Sequence, residues 1–382
     1  MPEVYLIAAV RTPIGVGKPQ TGALFPVAPV DLAAHVLAEV IRRGGIEPSR
    51  VEDVILGCVT PVGDQGANIA RLAALKAGLP VQVPGVQLNR MCGSGQQAVH
   101  FAAQEILSGD AEIAIGGGVE MMSHQPLGSD YPREWPTDFP FELVHQGVSA
   151  EMMAAKYRLG REALDDFAFQ SHTRAGEAMA SGRVAEQLAP VSVPDGNGSH
   201  RLVAQDQGVR FPPDRAKMAA LKPAFKEDGV ITAGNSSQIS DGAAAVLLAS
   251  ERAVQQHNLK PLARLVARVV VGSDPTLMLD GPIPATRKVL ARAGIKLDDI
   301  DTVEINEAFA SVVLGWQAET GADLRRVNPD GGAIAHGHPL GATGAVLMTK
   351  LVHELRRTGG RYGLQTMCIG HGMATATVIE RL

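Results

Sequence analysis

The chain has little cysteine and little net charge, and each scarcity excludes a class of protein. Three cysteines among 382 residues are too few, and odd in number, for a disulfide framework, which favours a reducing compartment. A net charge of −5 and a pI near 6.1 argue against nucleic-acid binding as the main role. No apolar run reaches the length of about 18 residues that a membrane span needs. Because the first residues lack a basic leader, we expect a cytoplasmic protein.

Sequence signals for bound groups are also missing. Cysteine and histidine show no metal-ligand spacing, and no phosphate-loop lysine motif is present. The glycine triplet at 116–118 lacks the spacing of a dinucleotide fingerprint. We therefore predict no metal site, no nicotinamide cofactor and no prosthetic group.

Strand-like and helix-like segments alternate along the chain. A helix is expected from Asp31 to about Arg43, ended by Gly44 and Gly45, and a strand at 111–115 is followed by the glycine triplet. From about residue 262 the order repeats, with helices at 284–293 and 340–356 and strands at 265–271, 302–305, 363–367 and 374–379. This alternation predicts an α/β fold with a largely parallel sheet and a duplicated plan.

The middle of the chain interrupts the alternation. Between about residues 121 and 238 prolines are frequent, and there is one clear helix, at about 162–181. This stretch has the character of a large insertion. We therefore predict a first half made of residues 1–121 and 238–260, an inserted loop domain of residues 122–237, and a second half of residues 261–382.

Cys92 lies in the segment NRMCGSG (89–95), at the predicted start of a helix. Free N–H groups and the helix dipole favour an anion there, and such a place can lower the pKa of a thiol from about 8.5 to between about 3.5 and 7.5. Gly93 and Gly95 allow a bulky carbonyl group to approach the backbone. The alternative is a buried, unreactive cysteine, a description that fits Cys58 better than Cys92.

His338, in the segment GHP (337–339), opens another predicted helix. A helix N-terminus disfavours imidazolium, so we expect the ring to stay neutral and to be usable as a base. His338 can equally be a residue that only caps its helix, and His336 can be the ring in the site instead. The place at the helix start favours His338.

Cys368 follows a strand in the segment CIGHG (368–372), whose glycines free backbone N–H groups to hold an oxyanion. In isolation it is more often a core cysteine. Asn306 lies where a strand gives way to a helix, and it can orient a water, donate to a carbonyl or cap that helix. Its neighbour Glu307 can be an exposed acid of the first turn. Two thiols and an imidazole among glycines suggest one covalent site built from distant loops.

With these residues in place, the chain closely resembles the thiolases, which are thioester-dependent acyltransferases. The similarity covers nearly the whole length and rests on the segments NRMCGSG (89–95), NEAF (306–309), GGAIAHGHP (331–339) and CIGHG (368–372), with TAGNSS (232–237) and DGAA (241–244) leading out of the insertion. The resemblance implies two duplicated βαβαβαββ halves, each with a five-stranded mixed sheet, in a layered α-β-α-β-α arrangement with an inserted loop domain. It also implies a homodimer or a dimer of dimers.

The resemblance assigns roles to the candidate residues. Cys92 resembles the nucleophile that becomes acylated, His338 the ring that activates it, and Cys368 the acid and base at the α-carbon. Asn306 resembles the residue that holds the water of a first oxyanion hole, and the N–H groups of Cys92 and Gly370 resemble a second. The reaction implied is cleavage of 3-ketoacyl-CoA by CoA, as in β-oxidation, through an acyl-Cys92 intermediate; the reverse is a Claisen condensation.

Coenzyme A and acyl-CoA are expected as substrates rather than as bound cofactors. By resemblance the loop domain binds them. His145 and Ser237 match positions that line the pantetheine channel. Arg210 matches a nucleotide-contacting arginine, or else it is a solvated surface charge.

Three residues depart from the family pattern. Gln146 stands where short-chain biosynthetic members often have methionine, His371 where glycine is common, and His336 where an aliphatic residue is common. Together they favour a 3-ketoacyl-CoA thiolase of broader or longer chain range, one accepting branched or ring-bearing acyl groups. The alternatives are a short-chain acetyl-CoA acetyltransferase that makes acetoacetyl-CoA, a ketosynthase-like condensing enzyme, a cysteine hydrolase and a non-catalytic acyl-CoA-binding protein. The second thiol, Cys368, argues against the ketosynthase.

Overall fold

A mixed sheet of ten strands organises the computed structural model, which describes residues 3–382. The strands are Val4–Arg11 (β1), Gly15–Val16 (β2), Asp53–Gly57 (β3), Val86–Leu88 (β4), Ile113–Met121 (β5), Val191–Pro194 (β6), His200–Val203 (β7), Ser240–Ser250 (β8), Ala263–Gly272 (β9), Thr302–Ile305 (β10), Tyr362–Ile369 (β11) and Met373–Arg381 (β12). The helices are Pro29–Gly44 (α1), Ile69–Lys76 (α2), Ser94–Ser108 (α3), Gln146–Lys156 (α4), Arg161–Ala180 (α5), Arg215–Ala219 (α6), Glu251–Gln256 (α7), Pro282–Ala293 (α8), Ala310–Thr320 (α9), Ala333–His336 (α10) and Leu340–Thr358 (α11). Strands β6 and β7 form a separate hairpin.

The two halves of the sheet repeat one strand order. Neighbouring strands follow β4-β3-β5-β8-β1 in the first half and β10-β11-β12-β9 in the second. The pairs β3–β5 and β10–β11 are parallel, and the pairs towards the centre are antiparallel. Strands β1 and β9 join the halves through two antiparallel pairs, Tyr5 with Arg264 and Leu6 with Ala263. The predicted α/β fold with a duplicated plan is confirmed. The expected largely parallel sheet is wrong, because six of its strand pairs are antiparallel and three are parallel.

The second half differs from the expected five strands. It has four strands among the described residues, and the place equivalent to β4 is a single parallel bridge between Val303 and Val327. Asn328 explains the difference, because its φ of 45° turns the chain away directly after the bridge. Its side chain then closes the turn by accepting from the N–H of Ile305 and donating to the carbonyl of Ile305, each at 2.9 Å.

Helices α3 and α11 lie between the inner faces of the two halves. Their apolar residues share one buried cluster with β1 and β8. On α3, Gln96 and His100 reach across to Thr377 of β12, at 2.6 and 2.7 Å. Helices α1 and α2 cover the outer face of the first half, and α8 and α9 cover that of the second. The arrangement has the layers that the sequence predicts.

The strand predicted at 111–115 extends further than expected. Strand β5 continues through the glycine triplet to Met121, because the missing side chains let two helices approach the sheet. A Cβ at Gly116 would lie 2.5 Å from the Cα of Val99 on α3. A Cβ at Gly118 would collide with the carbonyl oxygen of Gly341 on α11. The triplet therefore sets the contact between the sheet and the two central helices.

Much of the chain between β5 and β8 lies outside the main sheet. It contains α4, α5, α6 and the β6–β7 hairpin, and the helix predicted at 162–181 is confirmed as α5. Residues 122–145 contain no helix or strand. The predicted domain boundaries stay a prediction. No helix within the described part of the chain is long and apolar enough to cross a bilayer.

Candidate active site

Cys92 lies one residue before the N-cap of α3, which is Gly93. A network of short bonds holds the turn around it. Met91 has a φ of 46°, and its N–H donates to the side-chain oxygen of Asn89 at 2.8 Å. The hydroxyl of Ser94 donates to the carbonyl of Met91 at 2.6 Å and accepts from the N–H of Arg90 at 2.8 Å. The thiol is thereby fixed where β4 gives way to α3.

Burial governs the state of this thiol. Cys92 is 5% exposed, and burial raises the pKa of its thiol to about 11. The N–H groups of Gly370 and of Cys92 itself, and then the side chain of Gln146, favour the thiolate to a smaller extent. The expected low pKa is therefore wrong for the free enzyme, because desolvation outweighs the helix terminus. The same two N–H groups are those that the resemblance assigns to an oxyanion hole.

His338 occupies the equivalent place before α11, whose N-cap is Pro339. Its Nδ1 lies 2.6 Å from the hydroxyl oxygen of Thr343, which itself donates to the carbonyl of Pro339 at 2.8 Å. This bond network assigns the proton to Nδ1 and leaves a lone pair on Nε2. Burial lowers the pKa of His338 to about 4, so the predicted neutral ring is confirmed, with burial as its cause.

Asn306 contacts the imidazole of His338. Its Nδ2 lies 3.3 Å from Nε2 of His338, and its side-chain oxygen is buried without a protein partner. It does not cap α9, because the N-cap there is Phe309. The amide is thus available to a ligand of the site.

Glu307 is buried, contrary to the expectation of an exposed acid. Its carboxylate accepts from the hydroxyl of Ser171 at 2.6 Å, from the amide of Asn328 at 2.9 Å and from the N–H of Ile334 at 3.2 Å. These bonds tie α5, the turn after β10 and the segment that leads to His338. Glu307 therefore helps to hold in place the segment that leads to His338.

Cys368 lies near the end of β11 and is 1% exposed. Burial raises the pKa of its thiol, and the nearby charge of a Cys92 thiolate raises it further. Two residues later, the N–H of Gly370 reaches the thiol of Cys92. The structure thus brings the two cysteines, far apart in sequence, into one site.

His336 takes no part in this group. Its Nδ1 lies 3.1 Å from the carbonyl of Gly337, and the charged groups nearest its ring are Lys350, Asp206 and Arg11. Burial holds the pKa of His336 well below its usual value. Of the two candidate histidines, His338 is the one that lines the cavity described next.

A cavity of about 930 Å³ opens beside these residues. His338, Gly370, His145 and Ser237 all line it. His145 caps α4 through a 3.1 Å bond from the N–H of Gly147, and its ring stacks on Phe225 at 5.2 Å. Cys92 follows Met91, and Asn306 contacts His338, both of which line the cavity. Cys368 belongs to the buried cluster that contains the lining residues Met278 and Phe309.

Arg210 lies apart from this cavity and is exposed. Its backbone N–H donates to Nδ1 of His172 at 3.1 Å. Of the three residues predicted to contact CoA, two therefore border the cavity and Arg210 does not.

The sequence reading missed Glu120 and Thr343. The carboxylate of Glu120, at the end of the glycine-rich strand, accepts from the N–H groups of Val59 and Gly341 at 2.8 Å each. These two hydrogen bonds connect the first residues of α11 to the turn after β3. Thr343 lies about one helical turn beyond His338, a spacing that could have indicated its bond to the ring.

Comparisons with known proteins point to one family. The family model described as thiolase, N-terminal domain, matches residues 4–252, and the thiolase C-terminal domain matches residues 259–381. A steroid 3-ketoacyl-CoA thiolase of Mycobacterium tuberculosis is 47% identical, over 100% of this chain and 95% of its own. A 3-oxoadipyl-CoA/3-oxo-5,6-dehydrosuberyl-CoA thiolase of Escherichia coli is 42% identical over 100% of both chains. The crystal structure of an acetyl-CoA acetyltransferase of Bacillus anthracis matches with a TM-score of 0.92 at 39% identity, over 100% of this chain and 99% of that one. The chain belongs to the thiolase family and is an acyltransferase.

Proposed function

We propose that this thiolase cleaves 3-ketoacyl-CoA with CoA to give acetyl-CoA and a shortened acyl-CoA. One observation carries the proposal: the N–H groups of Cys92 and Gly370 converge on the Cys92 thiol, next to a cavity that His338 also lines. A nucleophile, two oxyanion donors and a neutral imidazole are the parts that acyl transfer needs.

In the first half-reaction, the Cys92 thiol gives its proton to Nε2 of His338, and its sulfur attacks the keto carbon. The N–H groups of Cys92 and Gly370 stabilise the oxyanion. The bond between the α-carbon and the keto carbon then breaks, the acyl group stays on sulfur, and the Cys368 thiol protonates the α-carbon of the acetyl-CoA enolate. His338 and a water held by Asn306 stabilise the enolate oxygen. Removing one such donor typically costs roughly 10²–10³ in rate.

In the second half-reaction, the Cys368 thiolate takes the proton of the CoA thiol. The CoA sulfur attacks the acyl carbon on Cys92, and the new thioester leaves. The departing Cys92 sulfur regains the proton held by His338, which restores the starting state. The 3-ketoacyl-CoA therefore reacts with the free enzyme, and CoA reacts with the acyl-Cys92 enzyme. This is a ping-pong order.

We propose an acyl group larger than acetyl. The cavity volume of about 930 Å³ is near the upper end of the roughly 300–1,000 Å³ of small-molecule sites. Two similar proteins carry names that specify steroid 3-ketoacyl-CoA and 3-oxoadipyl-CoA. A second candidate, synthesis of acetoacetyl-CoA, is favoured by the name of the matching solved structure, an acetyl-CoA acetyltransferase.

Thiolysis rates over a ladder of 3-ketoacyl-CoA lengths test the proposal. We expect kcat/KM to rise beyond acetoacetyl-CoA, with parallel double-reciprocal lines as CoA is varied. Activity confined to acetoacetyl-CoA would favour the second candidate. Loss of the acyl group without CoA would identify a hydrolase, and activity only with malonyl thioesters a ketosynthase.

CoA and acyl-CoA serve as substrates in this proposal, and no prosthetic group takes part. His145 and Ser237 contact the pantetheine arm within the cavity, and Arg210 contacts the nucleotide outside it. Replacing His145 by alanine is expected to raise the KM for CoA. If Arg210→Ala leaves the KM for CoA unchanged, Arg210 is a solvated surface residue that does not contact the nucleotide.

We further propose a homodimer, or a pair of dimers, in solution. Support comes from β4, an edge strand of the sheet, in which Val86 is 46% exposed. Val81, which precedes this strand, and Phe101, on α3, are 70% and 39% exposed. Light scattering after size exclusion measures the mass directly, and a monomer at micromolar concentration would contradict the proposal.

A further inference from the structure

The segment at 122–145, between β5 and α4, forms one wall of the cavity. Long loops without regular structure inside a compact protein are usually functional. Five of its large apolar side chains line the cavity while remaining 41–54% exposed: Leu127, Tyr131, Trp135, Phe139 and Phe141. Apolar surface concentrated in this way indicates contact with a ligand.

Two rings of this wall, Tyr131 and Trp135, and the ring of His371 beyond it pack edge to face and form what we call the aromatic ladder. The centroids of Tyr131 and Trp135 are 5.9 Å apart with planes at 73°, and those of Trp135 and His371 are 5.8 Å apart at 63°. Edge-to-face packing at these distances is favourable. The ladder therefore fixes the loop onto the turn that carries Gly370.

His371 takes its place in the ladder in an unfavourable backbone conformation. Its φ is 60°, in the left-handed region that glycine adopts without cost. Such a conformation in a residue with a side chain points to a functional constraint when the ring lines a site. The ring of His371 does line the cavity, immediately after Gly370.

The ladder lies beside the turn that contacts the Cys92 thiol, because His371 directly follows Gly370, whose N–H reaches that sulfur. Cys92 packs against Met122 and follows Met91, and both methionines line the cavity. Burial, Asp130 and then the charge of a Cys92 thiolate raise the pKa of Tyr131. An acyl group on Cys92 would therefore lie between the methionines and the ladder.

The residue types that line the cavity also restrict the chemistry of the acyl group. Among the described residues that line the cavity there is no lysine or arginine. A carboxylate at the far end of the acyl group would lose its water without gaining a permanently charged partner. An apolar acyl group pays no such cost.

We propose that the aromatic ladder determines acyl specificity and selects 3-ketoacyl-CoA whose acyl group carries an apolar ring. The inference rests on the proposed function and names its substrate class. A ring in the substrate presents a broad apolar face to the three aromatic side chains of the ladder. It also loses less conformational entropy on binding than a linear chain of the same carbon number.

Two substrates of equal carbon number test the ladder: 4-cyclohexyl-3-oxobutanoyl-CoA and 3-oxodecanoyl-CoA. Both have a methylene next to the ketone, so their intrinsic reactivity is matched. We expect the wild type to prefer the ring substrate in kcat/KM by about tenfold or more. Trp135→Ala and His371→Gly should each lower kcat/KM for the ring substrate by about tenfold, and for the linear one by less than about threefold. Trp135→Phe should keep most of the preference.

Controls separate this inference from the proposed function. Leu202→Ala changes a side chain that is 67% exposed and outside the cavity lining, and it should alter neither rate. Melting temperatures report whether each variant folds. Equal losses on both substrates, a preference that survives Trp135→Ala, or no preference in the wild type would each overturn the role of the ladder. Failure of the wild type to cleave any 3-ketoacyl-CoA would instead overturn the proposed function.

Discussion

Cys92 should be a neutral thiol, and not a thiolate, in the free enzyme at neutral pH. Burial raises the pKa of Cys92 to about 11 and lowers the pKa of His338 to about 4. The two values differ by about seven, so moving the proton from sulfur to ring before a substrate binds is strongly unfavourable. At pH 7.5 the thiolate fraction is then below about 0.1%. The thiolate becomes accessible only when a substrate carbonyl can accept the charge.

The rate of alkylation by iodoacetamide, followed peptide by peptide, reports the thiolate fraction of each cysteine. For Cys92 we expect the rate to rise about tenfold per pH unit between about pH 7 and 10, without a plateau. Cys58, whose pKa is also raised by burial, is the internal comparison. A plateau below about pH 8 would refute the reasoning, because it would show a standing thiolate–imidazolium pair.

The remaining predictions concern stability. Burial lowers the pKa of His100 to about 3 and that of His172 to about 4, whereas both should be near 6.5 when unfolded. The unfolded chain therefore binds more protons, and stability should fall as pH drops below about 6.5, by up to about 1.4 kcal/mol per pH unit for each group. Urea unfolding at pH 7 and 5 checks this, and equal midpoints would contradict it. Glu307→Ala strands three buried donors and should cost about 3 kcal/mol with a loss of kcat, measured by urea unfolding and thiolysis. Gly118→Ala would force a methyl group into the carbonyl of Gly341, so the variant should yield little folded protein; wild-type melting would contradict the packing described.

The element order could be predicted from the sequence wherever local chemistry decides it. Helix α11 was expected at 340–356 and is Leu340–Thr358. Gly45, with a φ of 65°, closes α1 near the expected place, although the helix begins at Pro29 rather than Asp31. The continuation of β5 through the glycine triplet could not be predicted, because the triplet makes room for α3 and α11 and local propensity cannot show that contact.

The site was predictable to the extent that motifs carry it. Cys92 and His338 each precede a helix as expected, and the ring of His338 is neutral. The pKa of Cys92 was misjudged, because the sequence shows the helix start but not the depth of burial. Glu307 was misjudged for the same reason, since its partners come from distant segments.

Mapping the acyl group after incubation with acetyl-CoA tests the central claim most directly. Intact mass and peptide analysis should place one acetyl group on the peptide that contains Cys92. Cys92→Ala should carry none, and Cys368→Ala should still be acetylated while carbon–carbon bond cleavage stops. Equal loss of acetylation in both variants, or a label on Cys368 in the wild type, would contradict the division of roles between the two thiols.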